Sequence, residues 1–259
     1  MTVRNIRFRQ SVIRTVLGLA AVSGLAMQPV ESAFAKVVEV SMTAVETKLV
    51  IDGEGHTYDA WTFNGQFPGP VIRVQEGDEV VFSLTNPETN GRPHSMDFHA
   101  AETNFLEHYK EVRPGESLQY RFKAKWPGIF AYHCGASPMI QHIARGMMGA
   151  IIVDPKDPKA LPKADREYVL VQSELFKDPD DVDGMFDRKY QHVVFNGSVF
   201  RYDPVHSKAG GDFLDAKPGE RVRFYFVNAG PNNVSAVHPI AEIWDDVWES
   251  GNPANHTRG

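Results

Sequence analysis

A short repeated segment limits the folds open to this chain more than any other feature. Glu76–Asn86 (EGDEVVFSLTN) resembles Pro218–Asn228 (PGERVRFYFVN), and a histidine follows each copy, His94 in the first and His238 in the second. Both copies alternate β-branched or aromatic residues with polar ones, which is typical of a half-buried strand. Two copies of one strand unit predict two similar domains in tandem.

Further strand-like segments follow the first copy. Leu118–Phe122, Ile129–Tyr132 and Gly149–Val153 are rich in β-forming residues, and turns that contain Pro-Gly punctuate this part of the chain. Met139–Arg145 is the one stretch that indicates a short helix. Short strands between such turns favour an antiparallel β-sandwich, so we expect an all-β protein.

The repeat and the composition divide the chain into four parts. Residues 1–35 are expected to be a signal peptide, residues 36–154 a first sandwich domain, residues 155–165 a stiff linker rich in Pro and Lys, and residues 166–259 a second domain. Much less sequence follows the second copy of the repeat than the first, and the tail from Ser250 to Gly259 reads as loop. We therefore expect the second domain to be incomplete, with open strand edges and little stability of its own.

The first 35 residues have the pattern of an export signal. Four arginines precede an apolar stretch, Thr15–Met27, that is too short to span a membrane. Ala33-Phe34-Ala35 then fits the small-x-small site of a signal peptidase. We therefore expect a periplasmic or otherwise exported protein with no membrane span after processing.

The charge of the chain argues against one class of partner. The formal net charge is −6, and removal of the arginine-rich leader makes the remaining chain more acidic still. An acidic protein is repelled by the phosphate backbone, so we expect no nucleic acid partner. The acidity suits a partner with a basic face, or it serves solubility alone.

The single cysteine of the chain, Cys134, stands in a pattern of metal ligands. His142 and Met147 follow it in the spacing Cys-x7-His-x4-Met, and His94 lies upstream. One thiolate, two imidazoles and a thioether are the ligand set of a blue-copper electron-transfer site. A lone cysteine is usually a small apolar core residue, but the combined spacing favours copper. Met148 is the rival of Met147 for the axial position.

Two more histidines, His99 and His133, indicate a second metal. Neighbouring side chains in a strand point to opposite faces, so we expect His133 to face away from Cys134 and the peptide between them to be a short electron path. Asp97 is a candidate proton donor beside His99, although taken alone it reads as a surface residue. His238 is either structural or a second proton donor, because the second copy of the repeat has no cysteine for a blue copper of its own.

The sequence around these residues resembles one known family. Pro93–Ala101, Tyr132-His133-Cys134, Gly146-Met147 and Val237–Ile240 are similar to motifs of the copper-containing nitrite reductases, and the resemblance covers nearly all of residues 37–250. Members of that family are trimers, and each chain has two cupredoxin-like Greek-key β-sandwiches. They reduce nitrite to nitric oxide with one electron and two protons.

The resemblance implies a role for each candidate residue. The type 1 copper ligands would be His94, Cys134, His142 and Met147. The type 2 copper ligands would be His99 and His133. The proton-relay pair would be Asp97 and His238, and Ile240 would be the hydrophobic residue above the substrate. The electron donor would be a small redox protein, a cupredoxin or a cytochrome c.

One departure from the family leaves alternatives open. The family's third type 2 histidine comes late in the second domain and crosses a subunit interface, whereas His256 does not match its motif, so we expect this ligand to be absent from the chain. One alternative is a type 1 copper electron carrier, or a copper-binding protein, whose second site is defective. A two-domain laccase-like oxidase is the weaker alternative, since the sequence has no His-x-His pair and Cys134 is followed by Gly135.

Overall fold

The computed structural model describes residues 35–206 and 212–258. Residues 1–34, which hold all but the last residue of the predicted signal peptide, lie outside the described part. No helix within the described ranges is long and apolar enough to cross a membrane.

Two four-stranded sheets form from the first part of the chain. Their strands are β1 (Val37–Val50), β2 (Thr57–Phe63), β3 (Ile72–Gln75), β4 (Glu79–Thr85), β5 (Asp97–Phe98), β6 (Ser117–Lys123), β7 (Gly128–His133) and β8 (Met148–Asp154). One sheet has the order β2-β1-β4-β6 and the other has the order β3-β8-β7-β5. All the strands predicted between residues 79 and 153 are confirmed, with bounds that differ by at most a residue.

The long strand β1 serves two neighbours in turn. Val37–Thr43 pairs in parallel with β4, and Ala44–Val50 pairs antiparallel with β2. Glu46, just past the change of partner, lies opposite Trp61 on β2. The second half of β1 therefore lies at the end of the sheet that is near His94.

The core of the first sandwich lies between its two sheets. Val80, Phe82 and Leu84 alternate along β4 and are fully buried, as the period of a strand with one inward face requires. Phe82 packs edge-on against Phe98 of the opposite sheet, with ring centroids 5.0 Å apart. The same cluster includes Cys134 and Met147, so the candidate ligands extend one end of this core.

A third sheet packs on the outer face of the second. It consists of β9 (Arg166–Phe176), β10 (Tyr190–Phe195) and β11 (Val222–Asn228) in the order β10-β9-β11. Met148 and Ile152 of β8 cluster with Val171 of β9 and Tyr225 of β11. This contact explains why β8 reads as a continuous apolar run: both of its faces are covered.

The sequence repeat corresponds to a repeated pairing. The strand β4 in the first copy pairs in parallel with β1, and β11 in the second copy pairs in parallel with β9. Each repeated strand thus joins the first strand of its own part of the chain. The all-β sandwich class is confirmed, while the division into two domains and a linker stays a prediction; residues 155–165 contain no helix or strand.

The structure corrects two expectations about local structure. Besides the predicted helix α2 (Met139–Ala144), short helices occur at α1 (Phe105–His108) and α3 (Val182–Phe186). The tail expected to be loop contains β13 (His256–Arg258), which pairs antiparallel with β12 (Asp246–Trp248). His256 contributes to this hairpin by stacking on Trp248 and bonding to Asp246 at 2.8 Å.

Candidate metal centre

The end of strand β7 positions the candidate ligands. β5 pairs antiparallel with β7, which places Asp97 opposite His133. Cys134 follows β7 directly, and its backbone amide donates to the Met147 carbonyl oxygen at 2.9 Å. The pairing thus brings together residues from three separate parts of the chain.

The first cluster consists of His94, Cys134 and His142, and all three are buried. Their ligand atoms lie within 4.8 Å of one another. The Cys134 Sγ is 3.2 Å from His142 Nδ1, and His142 Nδ1 is 3.3 Å from His94 Nδ1. One sulfur and two ring nitrogens therefore converge on one small volume.

The two candidate axial methionines lie in different surroundings. Met147 and Met148 are both fully buried. Met147 belongs to the same core cluster as Cys134, whereas Met148 packs with Ile129 and Tyr225 toward the third sheet. This placement favours Met147 as the axial residue, which is also the one in the Cys-x7-His-x4-Met spacing.

Three residues around the first cluster are not among the site residues predicted from the sequence. The Ser95 amide donates to Cys134 Sγ at 3.2 Å. The indole of Trp61 lies against His142, with ring centroids 4.7 Å apart. Glu46 Oε1 is 3.2 Å from His94 Nε2. Glu46 and Trp61 are far from the ligands in sequence and no motif marks them; Ser95, which directly follows His94, could have been suspected from that position.

Burial sets the protonation of the first cluster. It raises the pKa of the Cys134 thiol to about 11, and hydrogen bonds from Ser95 and Ala136 only partly oppose this effect. Burial, together with the charges of His94, Arg92 and Arg145, lowers the pKa of His142 to about 3. The imidazole is therefore neutral and ready to ligate, while the thiol needs a metal to become a thiolate.

The donor set of the first cluster fits copper. Histidine nitrogens with a cysteine sulfur and a weak methionine are the combination that selects copper in electron-transfer sites. The near-complete burial of the cluster keeps water from the ligand atoms, and the loop from Cys134 to Met147 holds them through backbone hydrogen bonds. The residues present thus match the metal that the sequence predicted.

The second cluster consists of Asp97, His99 and His133 on the opposite side of the strand end. His99 Nε2 and His133 Nε2 are 3.1 Å apart, and Asp97 Oδ2 is 3.8 Å from His133 Nε2. The His133 Nδ1–H donates to the Cys134 carbonyl oxygen at 3.0 Å, which leaves Nε2 free to ligate. His133 and Cys134 thus belong to different clusters, as their expected opposite orientation requires.

The second cluster is more open than the first. His99 is exposed, and Asp97 and His133 are half-buried. Although the residue is exposed, protein atoms around its ring partly desolvate it; this desolvation and the neighbouring His133 lower the pKa of His99, and Asp97 opposes the shift. A pair of imidazoles beside a carboxylate on an accessible surface suits a metal with room for further ligands.

The structure does not bring His238 and Ile240 to either cluster. His238 is exposed, and its Nδ1–H donates to the neighbouring Pro239 carbonyl oxygen at 3.1 Å. Ile240 is 88% exposed. Their roles therefore stay predictions.

Comparisons with known proteins define the class first. Residues 44–158, which hold both clusters, match the family model described as multicopper oxidase. The first sandwich, which contains both clusters, is therefore similar to a domain of the multicopper oxidase class.

Individual relatives narrow this class to one family. The chain is 36% identical over 246 residues to the copper-containing nitrite reductase of Alcaligenes xylosoxydans xylosoxydans, with 85% of this chain and 72% of that protein covered. The solved copper nitrite reductase from Nitrosomonas europaea is 58% identical, with a TM-score of 0.84 over 86% of this chain and 78% of that chain. The chain belongs to the copper-containing nitrite reductase family, and this membership implies copper as the metal.

The match to other relatives is partial in length. The copper-containing nitrite reductase of Neisseria gonorrhoeae is 40% identical over 230 residues, which cover 83% of this chain and 55% of that protein. The chain therefore spans about half the length of this curated relative.

Proposed function

We propose that the chain takes part in the copper-dependent reduction of nitrite to nitric oxide. In this proposal His94, Cys134, His142 and Met147 hold a type 1 copper, and His99 and His133 hold a type 2 copper. Nitrite, one electron and two protons give nitric oxide and water. The copper ions would supply one-electron transfer at the first cluster and nitrite binding at the second.

The position of two consecutive residues carries the proposal. His133 lies in the second cluster and Cys134 in the first, so one peptide unit joins the two groups of ligands. The His133 Nδ1–H also bonds to the carbonyl oxygen of Cys134, in the next peptide unit. Such a covalent link gives an electron a short path from the buried cluster to the open one.

Protons would come from residues beside the second cluster. Asp97 stands 3.8 Å from His133 Nε2 and is half-buried, which suits a carboxylate that hands a proton to a ligand bound nearby. We assign His238 the second proton-donor role and Ile240 the apolar contact above nitrite. Both residues are exposed in the single chain, which is compatible with their reaching the site of another copy.

The proposal extends to the partners and the location. The full-length protein would be a homotrimer, in which a neighbouring subunit would supply the third imidazole of the type 2 copper, as the family resemblance implies. A cupredoxin or a cytochrome c would deliver the electron, and its basic face would suit the acidic chain. The leader would send the protein to the periplasm or another exported location.

The test compares two variants at exposed histidines, one in the second cluster and one outside both clusters. His99→Ala should keep the visible absorption of the first cluster and lose nitric oxide production from nitrite in the copper-loaded protein. His206→Ala is the matched control, because His206 is exposed and, among the residues that the structure describes, its hydrogen bonds are to the nearby Asp203. Nitric oxide production by His99→Ala at the control rate would refute the proposal.

One observation favours a second candidate function. The first cluster is buried, and Met147 belongs to the same core group as Cys134, while the second offers an exposed imidazole, a half-buried imidazole and a carboxylate among the described residues. A type 1 copper electron carrier, or a copper-binding protein with a defective second site, needs only the first. One copper per chain with reversible reduction and no nitric oxide would support this alternative.

A further inference from the structure

A carboxylate on β1 faces the outer nitrogen of a candidate copper ligand. Glu46 Oε1 lies 3.2 Å from His94 Nε2, although the two residues are 48 positions apart in the sequence. His94 is fully buried and Glu46 is mostly buried, with a side-chain exposure of 22%. An ion-dipole contact in such surroundings is weakly screened by water.

The two nitrogens of the His94 ring have different tasks. Nδ1 faces His142 Nδ1 at 3.3 Å, within the volume where Cys134 Sγ also lies. Nε2 therefore points away from the ligand volume and carries the ring proton toward Glu46. A hydrogen bond at one imidazole nitrogen fixes which nitrogen is free to ligate.

Backbone amides hold the Glu46 carboxylate in place. Gly91 N is 3.1 Å from both carboxylate oxygens, and Arg92 N is 2.9 Å from Oε1. The Glu46 amide in turn donates to the Asn90 side chain at 3.4 Å. The turn that leads into His94 is thus fastened to β1 at Glu46.

Trp61 completes the enclosure of the His94 ring. It is the cross-strand partner of Glu46, and its indole meets the His94 imidazole edge-on with centroids 5.8 Å apart. The ring is therefore held on one side by an apolar surface and at its outer nitrogen by a charge.

We propose that Glu46 is a positioning residue for the type 1 copper. It accepts the His94 Nε2–H, keeps the Nδ1 lone pair turned toward the ligand volume, and places a negative charge that favours the more positive, oxidised ion. The inference rests on the proposed type 1 site, and it predicts that Glu46 strengthens copper binding and lowers the reduction potential.

The experiment compares the chain with Glu46→Gln, Glu46→Asp and the control Glu39→Gln. Glu39 is an exposed carboxylate on the same strand. Gln keeps an acceptor for the amides of Gly91 and Arg92 but removes the charge, whereas Asp keeps the charge on a shorter stem. The readouts are copper affinity by competition with a chelator, the visible spectrum and the reduction potential.

We expect Glu46→Gln to bind copper about tenfold more weakly, which is the lower end of the effect of such outer partners. Its potential should rise, that of Glu46→Asp should stay nearer the parent, and Glu39→Gln should match the parent. Equal affinity and potential in Glu46→Gln and the parent would overturn the inference alone. A parent chain with no visible charge-transfer band would overturn the type 1 site, and the role of Glu46 with it.

Discussion

The backbone amide of Cys134 donates to the carbonyl oxygen of Met147 at 2.9 Å. The Met147 amide donates in turn to the His142 carbonyl oxygen at 3.0 Å. These two bonds close the loop that carries three of the four candidate type 1 ligands. Because the loop is closed through the backbone, its side chains can change without moving the peptide positions of the others.

The methionine pair offers a matched test of the axial position. Met147→Leu should keep copper but shift the reduction potential, since the axial ligand tunes it. Met148→Leu is the control, because Met148 is equally buried but packs toward the third sheet. Both swaps conserve volume and should each cost less than about 1.5 kcal/mol of stability. Protein-film voltammetry measures the potentials, and a shift seen only in Met148→Leu would reverse the assignment.

Cys134→Ser should abolish the strong visible absorption of the copper-loaded protein. The thiolate–copper bond produces that absorption, and a serine hydroxyl does not replace it. Serine is nearly the size of cysteine, so the fold should persist, which circular dichroism checks. Met148→Leu should keep the colour. An unchanged spectrum in Cys134→Ser would show that Cys134 is not the ligand.

Asp97→Asn should slow nitrite turnover by about 100-fold, the lower end of what a general acid contributes. The measurement needs an assembly that reduces nitrite, with the visible band monitored to show that the first cluster is intact. Asp59→Asn is the control, because Asp59 forms an exposed ion pair with Lys48. The proton-donor role fails if the rate and its pH dependence match those of the control.

Glu174→Gln should flatten the pH dependence of stability. Glu174 is fully buried, and burial raises its pKa above the ordinary 4.5. The pKa of Glu174 is higher in the folded state than in the unfolded state. The contribution of Glu174 to the free energy of unfolding is therefore fully present below pH 4.5 and is lost as pH rises through the folded-state pKa. Gln keeps an acceptor for the Asn233 amide, which bonds to Glu174 Oε1 at 3.1 Å.

Thermal unfolding at pH 4.5 and pH 7 tests the Glu174 prediction. The loss of melting temperature between these values should be smaller in Glu174→Gln than in the parent, with Glu39→Gln as an exposed control. An equal loss in all three proteins would mean that Glu174 does not titrate differently in the folded state.

The sequence predicts the parts of the fold whose signal is local. Strands such as β4 can be predicted because Val80, Phe82 and Leu84 occupy every second position, as the buried face of a strand requires. The β12–β13 hairpin gives no such signal, because all of His256–Arg258 is exposed and only pairing with Asp246–Trp248 orders it. The very short helices α1 and α3 are likewise set by their surroundings and caps rather than by periodicity.

The residues of the candidate site also differ in whether a local sequence signal predicts them. Cys134, His142 and Met147 are close in sequence and their spacing can be read directly. Glu46 and Trp61 reach His94 only through the register of β1 with β2, which a single sequence does not specify. His238 and Ile240 can be identified by resemblance to the family. Their neighbours in an assembly of several chains do not follow from the contacts within one chain.

The unequal exposure of the two clusters has a consequence for how the protein would gain and lose metal. An ion held by the fully buried Cys134 cluster can leave only when the fold opens locally. An ion held by the cluster that contains the exposed His99 can be removed directly by a chelator in solution. A chelator should therefore empty the second cluster first. The colour of a preparation then reports only the slowly exchanging ion, and a deeply coloured sample can be largely depleted of the ion on which nitrite would bind.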